Sequence, residues 1–235
     1  MVSRTPLSPV GRETLQDRVY AELRRSLMHG MLDAGAILRI QDLAATLDTS
    51  TMPVREALGR LVSEQALEAL PNRSVRVPVI TRERLDDLAR ARCLVEGALT
   101  GLASARLTDE DFDALRDLTG RCEAAFGGDD PDKAHTTSEL NHSFHFHIYR
   151  AAGSAVLIPV VESLWLQSGP YVRAAAQVHD EGGGLRAMHF HWALIEALER
   201  RDADASVKAL TQDITRSFDL VRGSLEAREK VMRYG

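Results

Sequence analysis

Apolar residues recur with a helical period along almost the whole chain, and one short stretch departs from it. Leu15, Val19, Leu23 and Leu27 fall every four residues and predict an amphipathic helix that ends at Gly30. Met31 to Gly35 turn the chain. Ile40, Leu43, Ala44 and Leu47 make one apolar face of a second helix, and Val54, Leu58 and Leu61 do the same for a third. The departure is Leu67-Glu-Ala-Leu-Pro-Asn-Arg-Ser-Val-Arg-Val-Pro-Val79, in which two short apolar runs flank the turn-rich quartet Pro71-Asn72-Arg73-Ser74. This predicts a β-hairpin. Three helices followed by a hairpin make a winged helix-turn-helix, whose third helix enters the DNA major groove. Met1 to Val10 are unpatterned and read as a mobile arm.

Beyond the hairpin only helical periods are seen. Helices are expected at about 82–106, 108–126, 132–152, 154–177, 185–200 and 203–229. Thr81 and Thr108 stand where N-caps belong, and Asp109, Glu110 and Asp111 fill a first turn, where the helix dipole favours acids. Gly127 to Pro131 and Glu181 to Gly184 are the breaks. Six such helices imply a compact antiparallel bundle. The expected fold is mainly α, with a winged helix-turn-helix over residues 1–79 and an all-helical effector-binding and dimerisation domain over 80–235.

Hydrophobic residues make up 44% and charged residues 27%, the profile of a soluble globular protein. No apolar run reaches bilayer length and no signal core opens the chain, so a cytoplasmic location without membrane contact is expected. Cys93 and Cys122 have neither metal-motif nor disulfide-framework spacing and read as reduced thiols. The net charge of −5 argues against a nucleic-acid partner until it is divided. Residues 1–78 carry ten Arg and nine acids, a net of +1, and the remainder a net of −6. The first third can approach DNA, and the placement of its arginines has to carry that argument.

With Val54, Leu58 and Leu61 inward, Thr51, Arg55 and Gly59 share another face of the third helix. Pro53 sits in the first turn, where its missing N–H costs little. Ser50 and Thr51 can bond phosphate through hydroxyl and backbone N–H. Arg55 suits a guanine edge or a phosphate. Arg73 at the wing tip suits a minor-groove or phosphate contact, and Ser74 beside it completes the DNA-facing set. Each residue alone is equally an ordinary surface residue; their joint placement on a two-helix-plus-wing frame is what points to DNA.

At these residues a resemblance becomes specific. Thr49-Ser-Thr-Met-Pro-Val-Arg-Glu-Ala-Leu58 resembles the recognition helix of the GntR family of bacterial transcription regulators, which commonly shows Ser-Arg-Thr-Pro-Val-Arg-Glu-Ala-Leu there. Pro53 to Leu58 match, Thr51 replaces the usual arginine, Met52 the usual threonine, and Ser74 the usual wing glycine. The departures concern the operator sequence and leave the fold intact.

In the second half, Asn141 and His145 lie four apart on one helical face, His191 lies within a later helix, and Asp213 sits on the last. Inward groups of this kind can form a metal site in a bundle core, although an isolated inward histidine is more often simply hydrogen-bonded. His142, His147 and His189 read as surface or capping residues. Arg92-Cys-Leu-Val-Glu96, Asn141-His-Ser-Phe-His145, and His191 followed by Ala197-Leu-Glu-Arg-Arg-Asp202 are similar to the FCD effector domain of the FadR-like branch of that family, and with the winged helix the resemblance runs from about Leu15 to Val221. Many such domains bind a divalent ion through one Asp and three His. The resemblance carries that role to His145 and His191, with Asn141 in the place of the Asp and Asp213 in the place of the third His. Such a set suits Zn²⁺, Ni²⁺ or Mn²⁺. Arg92 is either the partner of an effector carboxylate or half of a buried ion pair with Glu96.

These readings combine into a homodimeric, ligand-responsive transcription regulator, more readily a repressor, that binds double-stranded operator DNA and senses a small carboxylate effector at a divalent metal ion. It is not expected to be an enzyme. The two rivals are a metalloenzyme built on His145, His191 and Asp213, which leaves the winged helix without a purpose, and an effector-free DNA-binding dimer.

Overall fold

The computed structural model describes residues 14–71, 74–130, 132–182 and 188–234. The arm at Met1 to Val10 and the wing-tip residue Arg73 lie outside the described residues.

The first half builds from α1 (Leu15–Met28), β1 (Ile37–Leu38), α2 (Ile40–Thr46), α3 (Thr51–Ser63), β2 (Glu68–Ala69) and β3 (Val75–Arg76). Thr14 caps α1 in a reciprocal box with Asp17. Leu23 and Leu27 of α1 and Val54, Leu58 and Leu61 of α3 are buried in one core, as their spacing requires. The hairpin strands β2 and β3 pair antiparallel, Glu68 opposite Arg76, and their side chains meet at 2.6 Å. β1 joins β3 on its other edge, giving the order β1-β3-β2. The sequence reading missed β1, because two residues are too few to show a period.

The second half consists of α4 (Arg82–Ala103), α5 (Asp109–Gly127), α6 (Lys133–Ala151), α7 (Leu157–Gly182), α8 (His189–Glu199) and α9 (Ala203–Tyr234). Thr81 and Thr108 cap α4 and α5 through their side chains, as expected. α9 packs on α4, α7 and α8, and α6 on α4, α5 and α7. None of the described helices is long and apolar enough to cross a membrane.

The two halves meet where α1 ends on the middle of α7. A Cβ placed on Gly169 would lie 1.7 Å from the carbonyl oxygen of Leu27, and one on Gly30, at φ +65°, would lie 2.7 Å from the Gly169 carbonyl. Only glycine at both positions allows backbone to meet backbone. Pro170, inside α7, withdraws one helical N–H at the same level. Arg173 of α7 then donates to the Gly30 carbonyl at 3.1 Å and lies 3.4 Å from Asp33, and Arg24 of α1 pairs with Glu162 of α7 at 3.0 Å.

Gly169→Ala is expected to lower stability by about 3 kcal/mol or more, because neither backbone can move without parting the halves. A thermal melt followed by circular dichroism measures it, and a melting point equal to wild type would show that the contact yields.

Candidate functional site

At the DNA-facing end, Ser50 is the N-cap of α3 and its hydroxyl makes no capping bond, so it stays available to an external partner. Ser50, Thr51 and Arg55 are all exposed, and Met52 beside them is 62% exposed. Ser74 departs from its expected place: at 9% exposure it is buried rather than presented at the wing tip. Its neighbour Val75 pairs with β1 and β2, which turns this part of the wing toward the sheet.

In the bundle, His145 and Asn141 on α6, His191 on α8 and Asp213 on α9 converge. His145 Nε2 lies 3.1 Å from Asp213 Oδ2, His191 Nε2 lies 3.9 Å from the same oxygen, and His191 Nε2 lies 3.1 Å from Asn141 Oδ1. Donor atoms of His145, His191 and Asp213 all fall within 4.8 Å of one another. Both imidazoles are buried, that of His191 stacked on Phe144 at 3.9 Å. Burial would raise the Asp213 carboxyl, yet the hydrogen bond from His145 and the nearby charges of His191, His145 and Arg92 hold it below the usual carboxylate value. Burial also pushes His191 down to about 4 against the pull of Asp213, so the ring is neutral near pH 7.

A second layer of groups sets how His145 is held. Arg92 and Glu96 on α4 form a bidentate pair at 2.5 and 3.1 Å, and Tyr149 donates its hydroxyl proton to Glu96. The Tyr149 hydroxyl is pushed far up by burial and then by the Glu96 charge, so it keeps that proton. Its oxygen, 3.2 Å from His145 Nδ1, is left to accept. His145 Nδ1 therefore carries a hydrogen, and Nε2 faces the Asp213 carboxylate across a gap that a proton or a metal ion bridges. His191 Nδ1 is buried without a partner among the described residues. Two imidazoles and a carboxylate, with an amide oxygen beside them, fit a divalent ion such as Zn²⁺, Ni²⁺ or Mn²⁺.

A cavity of about 70 Å³ opens onto this cluster, lined by Asn141 and Asp213 of the cluster and by Val172, Phe190, Arg216 and Leu220 among others. Arg92 is not among its lining residues. It is 3% exposed, with its guanidinium bound to Glu96 and stacked 4.2 Å from the Trp165 ring, so the ion pair is the alternative that is formed. Sequence reasoning overlooked Arg216; its spacing of three from Asp213, which puts both on one face of α9, was the available signal.

His142 also differs from expectation. It is not a surface or capping residue: its ring stacks on Phe146 at 4.2 Å and meets the edge of Trp165 at 5.3 Å, under the end of α1. His147, half-buried, bonds Asp111 of α5 at 2.8 Å.

The patterns of two known domains match the chain: "Bacterial regulatory proteins, gntR family" over residues 15–77, and the FCD domain over residues 87–216. The chain belongs to the GntR family and is a transcriptional regulator carrying an FCD domain. It is 30% identical to the HTH-type transcriptional regulator McbR of Escherichia coli over 85% of this chain and 88% of that one. It is 28% identical to the gluconate operon transcriptional repressor of Bacillus licheniformis over 89% of this chain and 84% of the relative. The solved structure of E. coli McbR/YncC superposes with a TM-score of 0.82 at 27% identity, covering 91% of this chain and all 100% of that one.

Burial, with the charges of His29 and Arg150 behind it, pushes His142 down to about 3. A histidine neutral in the fold but protonated when unfolded gives its full contribution above about pH 6.5, and loses it as pH falls toward the folded value. His142 alone is expected to remove about 2 kcal/mol between pH 6.5 and 5. Urea unfolding at pH 7 and pH 5 measures the drop, and His142→Phe is expected to lessen it; an equal drop in the variant would reject the assignment.

Proposed function

We propose that this protein is a cytoplasmic, homodimeric repressor that releases or grips its operator when a small organic acid enters the cavity beside a divalent ion. The observation that carries this reading is the double duty of α7. Its Val172, Ala175 and Ala176 line the cavity, and its Gly169 and Arg173, less than one turn away, hold the end of α1. An occupant that prefers one placement of α7 thereby prefers one placement of the DNA-binding half, which is what a regulator requires.

In this reading His145, His191 and Asp213 hold the ion with Asn141 beside it, and the ion supplies a Lewis acid for an oxygen of the effector. Tyr149 and Glu96 orient His145, and Arg92 neutralises Glu96. Ser50 and Thr51 take phosphate at the N-terminus of α3, and Arg55 takes a base edge or phosphate one turn on. Arg73 is carried in the same proposal on sequence alone. The helical half, from residue 80 onward, is the dimerising and sensing domain, and residues 1–79 the reading domain. Exposed Leu94 and Leu102 on α4, with Val156 and Val160 at α7, at 70%, 45%, 77% and 43% exposure, supply an apolar surface for a second copy. Two copies present two recognition helices to a pseudo-palindromic site. A catalytic reading of the metal set gives the winged helix no part.

Arg55→Ala is expected to weaken binding to a duplex selected with the wild-type protein by roughly tenfold or more while leaving the melting point unchanged. Fluorescence anisotropy measures it, and unaltered affinity would remove Arg55 from the interface. Elemental analysis is expected to find about one divalent ion per chain. His145→Ala combined with His191→Ala is expected to lose it; an ion retained by the double variant would place the metal elsewhere.

A further inference from the structure

Eight described arginines are buried or half-buried, and seven of them are bound. Arg24 pairs with Glu162, Arg76 with Glu68, Arg82 with Glu226, Arg92 with Glu96, and Arg222 with Asp86, while Arg84 and Arg173 donate to the carbonyls of Gln65 and Gly30. Arg216 is the eighth. It is half-buried in the cavity wall, and among the described residues it makes no hydrogen bond or ion pair. Even Asp213, one turn earlier on the same helix, is bound instead by His145.

A guanidinium in this position has given up part of its water without gaining a partner, an imbalance that a carboxylate corrects with two parallel hydrogen bonds. Of the three hydroxyls in the lining, two do not compete for that role, and Ser217, beside Arg216 in sequence, is a neutral donor without the guanidinium fork. Thr137 donates to the Lys133 carbonyl and Ser138 to the Ala134 carbonyl, both within α6, so neither has a hydrogen left for an anion. The remaining lining is mostly apolar, with Val172 of α7, Phe190 of α8 and Leu220 of α9 among it. The space of about 70 Å³, partly open to solvent, is roughly half of a cavity that accepts benzene, so its inner part takes only a few heavy atoms.

We infer that Arg216 is the carboxylate anchor of the effector site and that the effector is a short-chain monocarboxylic acid. Its carboxylate lies on Arg216 and its carbon chain against Val172, Phe190 and Leu220, with Arg92 taking no part in binding. This inference rests on the effector-sensing reading above and adds to it which residue selects the charge and how large the acid is. An amine of the same length is excluded by Arg216, and a neutral amide forgoes the charge-assisted pair.

The test is thermal-shift titration and calorimetry of the full chain with straight-chain carboxylates from acetate to octanoate, and with butyramide and butylamine as controls. The wild type is expected to be stabilised by a short acid and by neither control. Arg216→Gln is expected to weaken that acid by roughly tenfold to a hundredfold, with the metal content per chain unchanged. Arg216→Lys, which keeps the charge without the fork, is expected to fall between, and it decides the matter if the glutamine variant melts within the assay range. Wild-type affinity in either variant, or equal binding of butyramide, overturns the assignment of Arg216 and leaves the regulator reading standing. A wild type that answers to none of the acids overturns the short monocarboxylate and leaves the broader reading to the metal and operator tests above.

Discussion

The bundle is organised around a file of inward charged and polar groups: Arg92, Glu96, Tyr149, His145 and Asp213, linked hand to hand across α4, α6 and α9, with His191 of α8 beside the last. Charges in an interior are tolerated only when each has its partner, and removing one member of such a pair costs about 3–5 kcal/mol because the other is left uncompensated. The helices that carry these groups are thereby held to one register. Apolar packing, with Trp165, Phe144 and Phe146 fully buried around the file, supplies the bulk of the stability, but it would accept many small slips that the charges do not.

The helices were legible because they are long and their apolar faces are regular, and the caps at Thr81 and Thr108 because hydroxyl chemistry at an N-terminus is local. The face shared by Asn141 and His145 was legible for the same reason. What could not be read was anything decided by which helix lies opposite. Arg92 had two plausible partners, and the proximity of Glu96 on its own helix decided between them. His142 has the same local sequence whether covered or bare; the end of α1 and the ring of Trp165 cover it. Arg216 draws its meaning from an opening among α6, α7 and α9, which no window of sequence describes. β1 is a strand only because β3 offers it an edge.

At the reading end, the chemistry of α3 follows from what its first turn lacks. Thr51 stands where relatives of this type commonly carry an arginine, and Met52 presents a bare thioether chain to the outside. The surface offered to a groove is therefore less charged and more apolar than a guanidinium would make it. Arg55 is left as the cationic side chain near that turn, beside the exposed Glu56, and the Ser50 hydroxyl makes no capping bond. In the proposed reading, such a helix would take phosphate with the backbone N–H groups and dipole of its N-terminus, and base methyls with its apolar surface.

Gly169 and Gly30 have one more consequence. Most joints between packed helices are cushioned by side chains, which can change rotamer and absorb a shift of half an ångström before anything beyond them feels it. Here the carbonyl of Leu27 rests on the bare backbone of α7, and there is nothing to compress or turn aside. The joint has no play. A displacement of α7 at this level is passed to α1 whole and at once, and the helix-turn-helix follows as a gear follows a shaft to which it is keyed.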